Sequence, residues 1–305
     1  MGSGGRLSER FDAEQWDSLS RAIRQIGPDV TPATIRASGD LIAPLHGRPT
    51  AGVTVRRDEP YGPHERHRLD VFLPQDRYSN GVAIFVHGGA FVGGSKHAEG
   101  SPYHDNIGSW CASTGRAAVT MNYRLAPEAP WPAGAEDIDR AIAWCRGNLD
   151  GATGPVHLAG TSSGAVHVAT YLTGGPGWRR SSPLPASAAF FSGVYDLRAF
   201  GTDRIAPYFG DAPSFLAGET IAQALVAVPV PMLFVVGEWD TPEANAQFAH
   251  AVAAFAAAGH PLPHLVRARA ANHFTVVNAI GTPADEVGPA WALLMEGAET
   301  RIPPR

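Results

Sequence analysis

Short runs of β-branched and other apolar residues recur along this chain, separated by longer stretches whose apolar positions return every three to four residues. A brief apolar run bounded by turn residues reads as a buried strand, and a 3.6-residue period as a helix packed along one stripe. Strands are therefore expected at 69–73, 82–86, 117–122, 156–159, 188–191, 231–236 and 264–269, with helices at 135–146, 164–172, 243–258 and 285–295. Strands alternating with helices of about three turns predict an α/β fold: a mostly parallel sheet, buried on both faces beneath crossover helices. The 305 residues are enough for one large core, so a single domain over 1–305 is the expectation. Two regions break the alternation. They are 6–50, with an amphipathic stretch at 7–26, and 197–228, rich in Pro, Gly and aromatic residues. Both are expected to form a small helical cap over the carboxyl ends of the strands. The mixed charge of 7–26 favours packing on the protein over lying on a membrane.

Composition narrows the partners. A net charge of -5, with 17% charged residues and no basic block, argues against nucleic acid and against an anionic membrane surface. A small molecule is the expected partner, and the chain is compatible with a homodimer. Cys111 and Cys145 form neither a disulfide framework nor a metal-ligand spacing, which suits a reducing compartment. The opening Met1-Gly2-Ser3-Gly4-Gly5-Arg6 lacks the apolar core of a signal peptide, and no later run is long enough to span a bilayer. The expectation is a cytoplasmic protein without metal or cofactor.

The candidate chemistry centres on Gly160-Thr161-Ser162-Ser163-Gly164, which joins the apolar run 155–159 to the helical run 165–172. A strand, a pinched turn and a helix lift one serine hydroxyl out of the fold, with glycines leaving room for the turn. A serine hydroxyl is nearly inert at neutral pH, so a nucleophilic Ser162 needs an imidazole within reach and a carboxylate to orient it. Downstream, Asp240 ends the strand-like run 231–236 plus its turn, and His273 follows the run 264–269. In this assignment His273 takes the Ser162 proton and later donates it to the leaving group, while Asp240 holds the imidazole tautomer. The negative charge of a tetrahedral intermediate needs preset donors. The glycine-rich His87-Gly88-Gly89-Ala90-Phe91-Val92-Gly93-Gly94 follows the strand 82–86, and the backbone N–H groups of Gly89, Ala90 and Ser163 are the candidates.

Taken together, His87-Gly88-Gly89, Asn122-Tyr123-Arg124-Leu125-Ala126-Pro127-Glu128 with Trp131-Pro132-Ala133, Gly160 to Gly164, and Ser192-Gly193-Val194-Tyr195-Asp196-Leu197 stand in a telling order. They resemble a serine α/β-hydrolase of the hormone-sensitive-lipase-like carboxylesterase group and its arylformamidase (kynurenine formamidase) relatives, over about residues 68–280. The stretch Asp240-Thr241-Pro242-Glu243 with Gln247, Phe248 and Asn272-His273-Phe274 is nearer the arylformamidase style. The resemblance implies an α/β-hydrolase fold and a small-molecule ester or amide as substrate, cleaved through an acyl-enzyme. Where the family often carries a third oxyanion-loop glycine, this chain has Ala90, which keeps the N–H and narrows the acyl pocket. The remaining readings are hydrolysis of an N-formyl aryl amide and, more distantly, ligand binding without catalysis.

Several residues compete with this assignment. Asp196 and Glu238 are rival acids, and His157 and His167 flank the elbow within apolar runs, where a core histidine is the plainer reading. His64-Glu65-Arg66-His67 is one residue short of a zinc-protease helix motif and reads as a loop. The prolines of 122–133 mark a stiff structural segment, with Glu128 as a support. Trp131, Trp178, Phe200, Tyr208, Phe209 and Phe215 could line a pocket or fill the core.

Overall fold

The computed structural model describes residues 10–47, 52–75, 81–149, 154–175, 178–200, 202–210 and 218–300. Eight strands form one sheet in the order β1-β2-β4-β3-β5-β6-β7-β8. They are β1 Val53–Pro60, β2 Arg68–Pro74, β3 Val82–Val86, β4 Ala117–Met121, β5 Val156–Thr161, β6 Ser187–Phe191, β7 Met232–Gly237 and β8 His264–Ala268. The first two strands join antiparallel, β1 on β2 and β2 on β4, and every later pairing is parallel. All seven expected strands are present within two residues of their expected ends, whereas β1 was not anticipated.

Strand periodicity sorts the core into two layers. Val71, Ile84, Val119, Leu158, Phe190 and Phe234 point to one face. There they meet Ile138 and Ile142 of α4 (Ala133–Asn148), Val168 and Leu172 of α5 (Ser163–Thr173) and Phe255 of α8 (Pro242–Ala257). Their neighbours Phe72, Phe85, Ala118, Ala159, Phe191 and Val235 point to the other face. These pack on Ile107 and Cys111 of α3 (Asp105–Ser113) and on Trp291 and Leu294 of α10 (Gly288–Glu299). Because both faces are covered, the parallel strands are continuous apolar runs rather than alternating ones, which is what made them visible in the sequence.

The two segments outside the alternation are partly helical. Ahead of the sheet lie α1 (Ala13–Ile26) and α2 (Pro32–Ile42), each opened by a capping box, on Asp12 with Gln15 and on Thr31 with Thr34. Leu19, Ile23 and Ile42 of these helices pack with Ala270 and Ala284, beyond the end of β8. Between β6 and β7 lie α6 (Thr202–Phe209) and α7 (Ile221–Val226), and a four-residue turn of helix, α9 (Thr275–Asn278), follows β8. Within 197–228, Leu197, Ile205, Tyr208 and Phe209 form a separate apolar cluster with Phe91 and Val166. Phe215 and the side chain of Phe200 lie outside the described residues, as do residues 1–9.

Candidate active site

Parallel strands deliver their following loops to one edge of the sheet, so the residues after β3, β5, β6, β7 and β8 gather there. Ser162 comes directly after β5, with φ 53° and ψ -120°, and α5 starts at the next residue. A non-glycine residue at positive φ is costly and persists only where the surroundings impose it. Here the imposition is visible. Ser162 N–H donates to Phe191 O of β6 at 2.9 Å. The flanking glycines are required by close approach, since a Cβ on Gly160 would lie 2.4 Å from Gly164 O and one on Gly164 would lie 2.2 Å from Val86 O. The helix is thus pressed against the ends of β3 and β5, and the serine is held at the apex between them.

The candidate acid and base lie after β7 and β8, two and three strands along. Asp240, in the turn after β7, has a fully buried carboxylate, and its Oδ1 accepts from His273 Nδ1 at 2.9 Å. The same oxygen accepts from Thr241 N–H at 2.8 Å, and Oδ2 accepts from the Ser192 hydroxyl at 2.5 Å. Burial alone would raise the Asp240 pKa, but the donors from His273, Ser192 and Thr241 outweigh it and hold the carboxyl below its usual range. With Nδ1–H bound to a carboxylate, the neutral imidazole presents an unprotonated Nε2. The His273 side chain is 13% exposed. No hydrogen bond joins Ser162 Oγ to His273 among the described residues. Such contacts commonly tighten only when substrate is bound.

Asn272 secures the turn that carries the imidazole. Its Oδ1 accepts from the N–H groups of Phe274 and Thr275, both at 3.1 Å, and its Nδ2 donates to Ser38 of α2 at 2.8 Å. The acid's turn is tied down in a parallel way, by the Trp239 indole donating to Ser20 of α1 at 3.1 Å.

The glycine-rich loop after β3 runs beside the elbow, where a Cβ on Gly88 would lie 3.2 Å from Ser162 Cβ. Gly89, Ala90 and Phe91 all have positive φ, at 139°, 51° and 69°. This run of left-handed residues turns the chain back on itself, and Gly93 N–H closes it on Gly89 O at 2.9 Å. Among the described residues the N–H groups of Gly89, Ala90 and Ser163 donate to no protein acceptor. Ser163 is the first residue of α5, whose opening N–H groups have no partner inside the helix.

His87 braces the loop from beneath. It is buried, stacks on Tyr123 at 4.4 Å between ring centres, and its Nδ1 lies 2.6 Å from Gly88 O. That contact needs Nδ1 to carry the proton. Burial pushes the His87 pKa down to about 3, so the ring stays neutral. Arg66 adds two ties, donating to Tyr123 O at 2.8 Å and to Gly94 O at 3.0 Å.

The rival residues are placed elsewhere. The Asp196 carboxylate pairs with Arg198 at 2.7 Å, and Glu238 accepts from Ala270 N–H at 3.0 Å. His157 is buried with Nδ1 on Ser187 Oγ at 2.8 Å. His167 is buried among the rings of Phe91, Tyr123 and Tyr208, with no protein partner for either nitrogen among the described residues. His67 of the His64 to His67 run pairs with buried Asp137 at 3.0 Å. Glu128 is exposed and, among the described residues, makes no hydrogen bond or ion pair, so the expected support role is corrected. That role falls to Asp137, which binds Arg124 and His67. Asp70, His97 and Asp105 lie close enough to hold a cation, but Arg57 and Lys96 already occupy the two carboxylates. Of the aromatic candidates, Trp131 and Phe209 line a cavity of about 290 Å³ with Leu197 and Ile221, Tyr208 stacks on Phe91, and Trp178 is core. Ser192 and Asn272 had no role assigned from sequence. The one visible signal was Asn272 followed by Thr275, a short-range capping pattern.

Residues 69–175 match the BD-FAE family model. The chain is 32% identical to Esterase LipQ of Mycobacterium tuberculosis (strain ATCC 25618 / H37Rv) over 219 residues, 63% of this chain and 51% of that one. It is 31% identical to Probable carboxylesterase 7 of Arabidopsis thaliana over 152 residues, 45% of this chain and 47% of that one. The chain therefore spans about half the length of these curated relatives. Among solved structures, an esterase from the bacterial hormone-sensitive lipase (HSL) family superposes with a TM-score of 0.65 at 22% identity, covering 96% of this chain and 100% of that one. Esterase B from Lactobacillus rhamnosis (HN001) does so with a TM-score of 0.70 at 17% identity, covering 94% and 97%. With this sheet order, this elbow and these structural neighbours, the chain has the α/β-hydrolase fold and is similar to carboxylesterases of the hormone-sensitive-lipase-like group.

Proposed function

We propose that the protein is a serine hydrolase of small carboxylic esters, working through an acyl-enzyme on Ser162. The observation that carries this reading is the buried Asp240 carboxylate 2.9 Å from His273 Nδ1, in the loops two and three strands along from the strained Ser162 elbow. In the reaction Ser162 Oγ attacks the ester carbonyl while His273 Nε2 takes the hydroxyl proton. The developing oxyanion accepts from the N–H groups of Gly89, Ala90 and Ser163, which are preset by the loop and the helix start. His273 then passes its proton to the departing alkoxide, releasing the alcohol. Water, activated by the same imidazole, adds to the acyl carbonyl and frees the acid and Ser162. Every step uses side chains, backbone donors and water, so no cofactor is invoked.

We read residues 6–50 and 197–228 as cap segments of a single domain. Supporting this, α1 and α2 hold the loops of Asp240 and His273, and Tyr208 stacks on Phe91 of the oxyanion loop at 4.8 Å. The two free, buried cysteines and the acidic net charge support a cytoplasmic enzyme acting on neutral or weakly charged small molecules. No helix among the described residues is long and apolar enough to cross a membrane.

The test is a panel of p-nitrophenyl esters of rising acyl length beside N-formyl arylamines, with Ser162→Ala as the blank. Ester turnover that vanishes in Ser162→Ala is expected. Turnover of formyl arylamines alone would move the assignment to the amidase reading, and persistent turnover by Ser162→Ala would refute Ser162 as nucleophile.

A further inference from the structure

Ser192 is the first residue after β6, which lies between β5, followed by Ser162, and β7, whose turn carries Asp240. Three features single it out. Its backbone has φ 47°, a conformation an L side chain enters only under constraint. The residue is 3% exposed, so its hydroxyl cannot rely on water. That hydroxyl lies 2.5 Å from Asp240 Oδ2, and an ionised carboxylate can only accept, so Ser192 is the donor.

The carboxylate of Asp240 has two oxygens with different tasks. Oδ1 accepts from His273 and from Thr241 N–H. Oδ2 has Ser192, and beyond it, among the described residues, only the Gly237 N–H at a long 3.5 Å. Without the serine hydroxyl, a buried charged oxygen would lose its one short donor among the described residues, and the rotation of the carboxylate about χ2 would be held from the Oδ1 side alone. The same residue is anchored to the sheet by its N–H on Val235 O at 2.8 Å, so the hydroxyl moves with β6 and β7 and not with a loop.

We propose that Ser192 is a positioning residue of the catalytic relay, whose hydroxyl clamps Asp240 so that Oδ1 faces His273. This rests on the hydrolase reading given above. Among the described residues the Ser192 hydroxyl bonds Asp240 and neither Ser162 nor His273, so it acts through the acid. The positive φ follows from the task, because the left-handed turn at the end of β6 is what aims Cβ sideways toward the β7 turn.

Ser192→Ala and Ser192→Gly both remove the hydroxyl, but glycine also relieves the backbone. Full-length parent and both variants would be compared for ester hydrolysis, for the rate of Ser162 labelling by a serine-directed phosphonate, for urea stability, and for the low-field NMR resonance of the His273 Nδ1 proton. Loss of a hydrogen bond to a buried charge predicts about a 10–100-fold fall in kcat with KM within about twofold. The fall should be equal in both variants although Ser192→Gly is the more stable, and the Nδ1 proton resonance should move in both. If activity instead follows stability, with Ser192→Gly restored to parent kinetics and an unmoved resonance, the assignment is overturned and the hydrolase reading stands. A parent that the phosphonate leaves unlabelled and that turns over no ester would defeat both.

Discussion

His167 offers a prediction in which the packing error cancels. Its ring lies 4.4 Å from that of Tyr123, 5.0 Å from Tyr208 and 5.5 Å from Phe91, and neither ring nitrogen has a protein partner among the described residues. Burial drives its pKa down to about 3. An unfolded histidine titrates near 6.5. Above that pH both states are neutral and protonation contributes nothing to stability. Below it the unfolded chain takes up a proton that the folded chain refuses, so stability falls until the folded ring titrates near 3. The loss is about 1.4 kcal/mol per pH unit, hence about 2 kcal/mol by pH 5. His87, also held at about 3, loses a similar amount, and the pair together consumes a large part of a typical 5–15 kcal/mol. His167→Phe keeps a flat ring and removes the titration. At pH 7 its effect mixes relief of two unpaired nitrogens with crowding on Gly134, whose Cβ would lie 2.2 Å from Nδ1. Between pH 7 and pH 5, however, the variant should gain about 2 kcal/mol on the parent, because only the parent carries this proton linkage. Urea unfolding of both proteins at the two pH values measures that double difference. A difference that does not change with pH would show that His167 does not stay neutral in the fold, and would refute the argument.

Two further perturbations probe the scaffold of the site. Gly164→Ala forces a methyl against Val86 O, a backbone atom that cannot rotate away, so α5 must retreat from β3. A cost of about 1–3 kcal/mol and a fall of about 100-fold in kcat are expected, by thermal melting and ester kinetics, and parent-like kinetics would contradict the close-packed elbow. Asn272→Ala strips the turn before His273 of its acceptor for two N–H groups and of its donor to Ser38. At about 1–3 kcal/mol for unsatisfied buried groups, it should lower stability and reduce kcat at least tenfold, and kcat unchanged in a destabilised variant would mean the turn does not aim the imidazole.

Much of the sheet was legible because a strand covered on both faces is apolar at every position, as in Val82 to Val86 and Met232 to Gly237. β1 was not, because this edge strand carries Arg56, Arg57, Asp58 and Glu59 and is broken by an irregularity between Arg56 and Glu59. Neither periodicity nor propensity marks such a strand; its pairing with β2 creates it. α3 escaped for a related reason. Its Asn106 looks like a surface residue but is buried, with Nδ2 donating to the carbonyls of Val277, Asn278 and Ile280. The positions of Ser162, Asp240 and His273 after β5, β7 and β8 could be read in order along the chain. Ser192 could not, since an alcohol beside a glycine is unremarkable until β7 places a carboxylate next to it. Glu128 misled in the opposite direction, because its place in the proline-stiffened segment suggested a supporting carboxylate, whereas the buried Asp137, nine residues on in α4, binds Arg124 and His67 instead.

The contacts of Ser20 with Trp239 and of Ser38 with Asn272 fasten the opening helices to turns more than two hundred positions later. A ribosome therefore releases α1, α2 and the strand and helix around Ser162 long before it makes the turns of Asp240 and His273 that those first helices hold. Changes near the amino end can reach the rate without approaching the substrate, and variation there belongs with the chemistry rather than with the periphery.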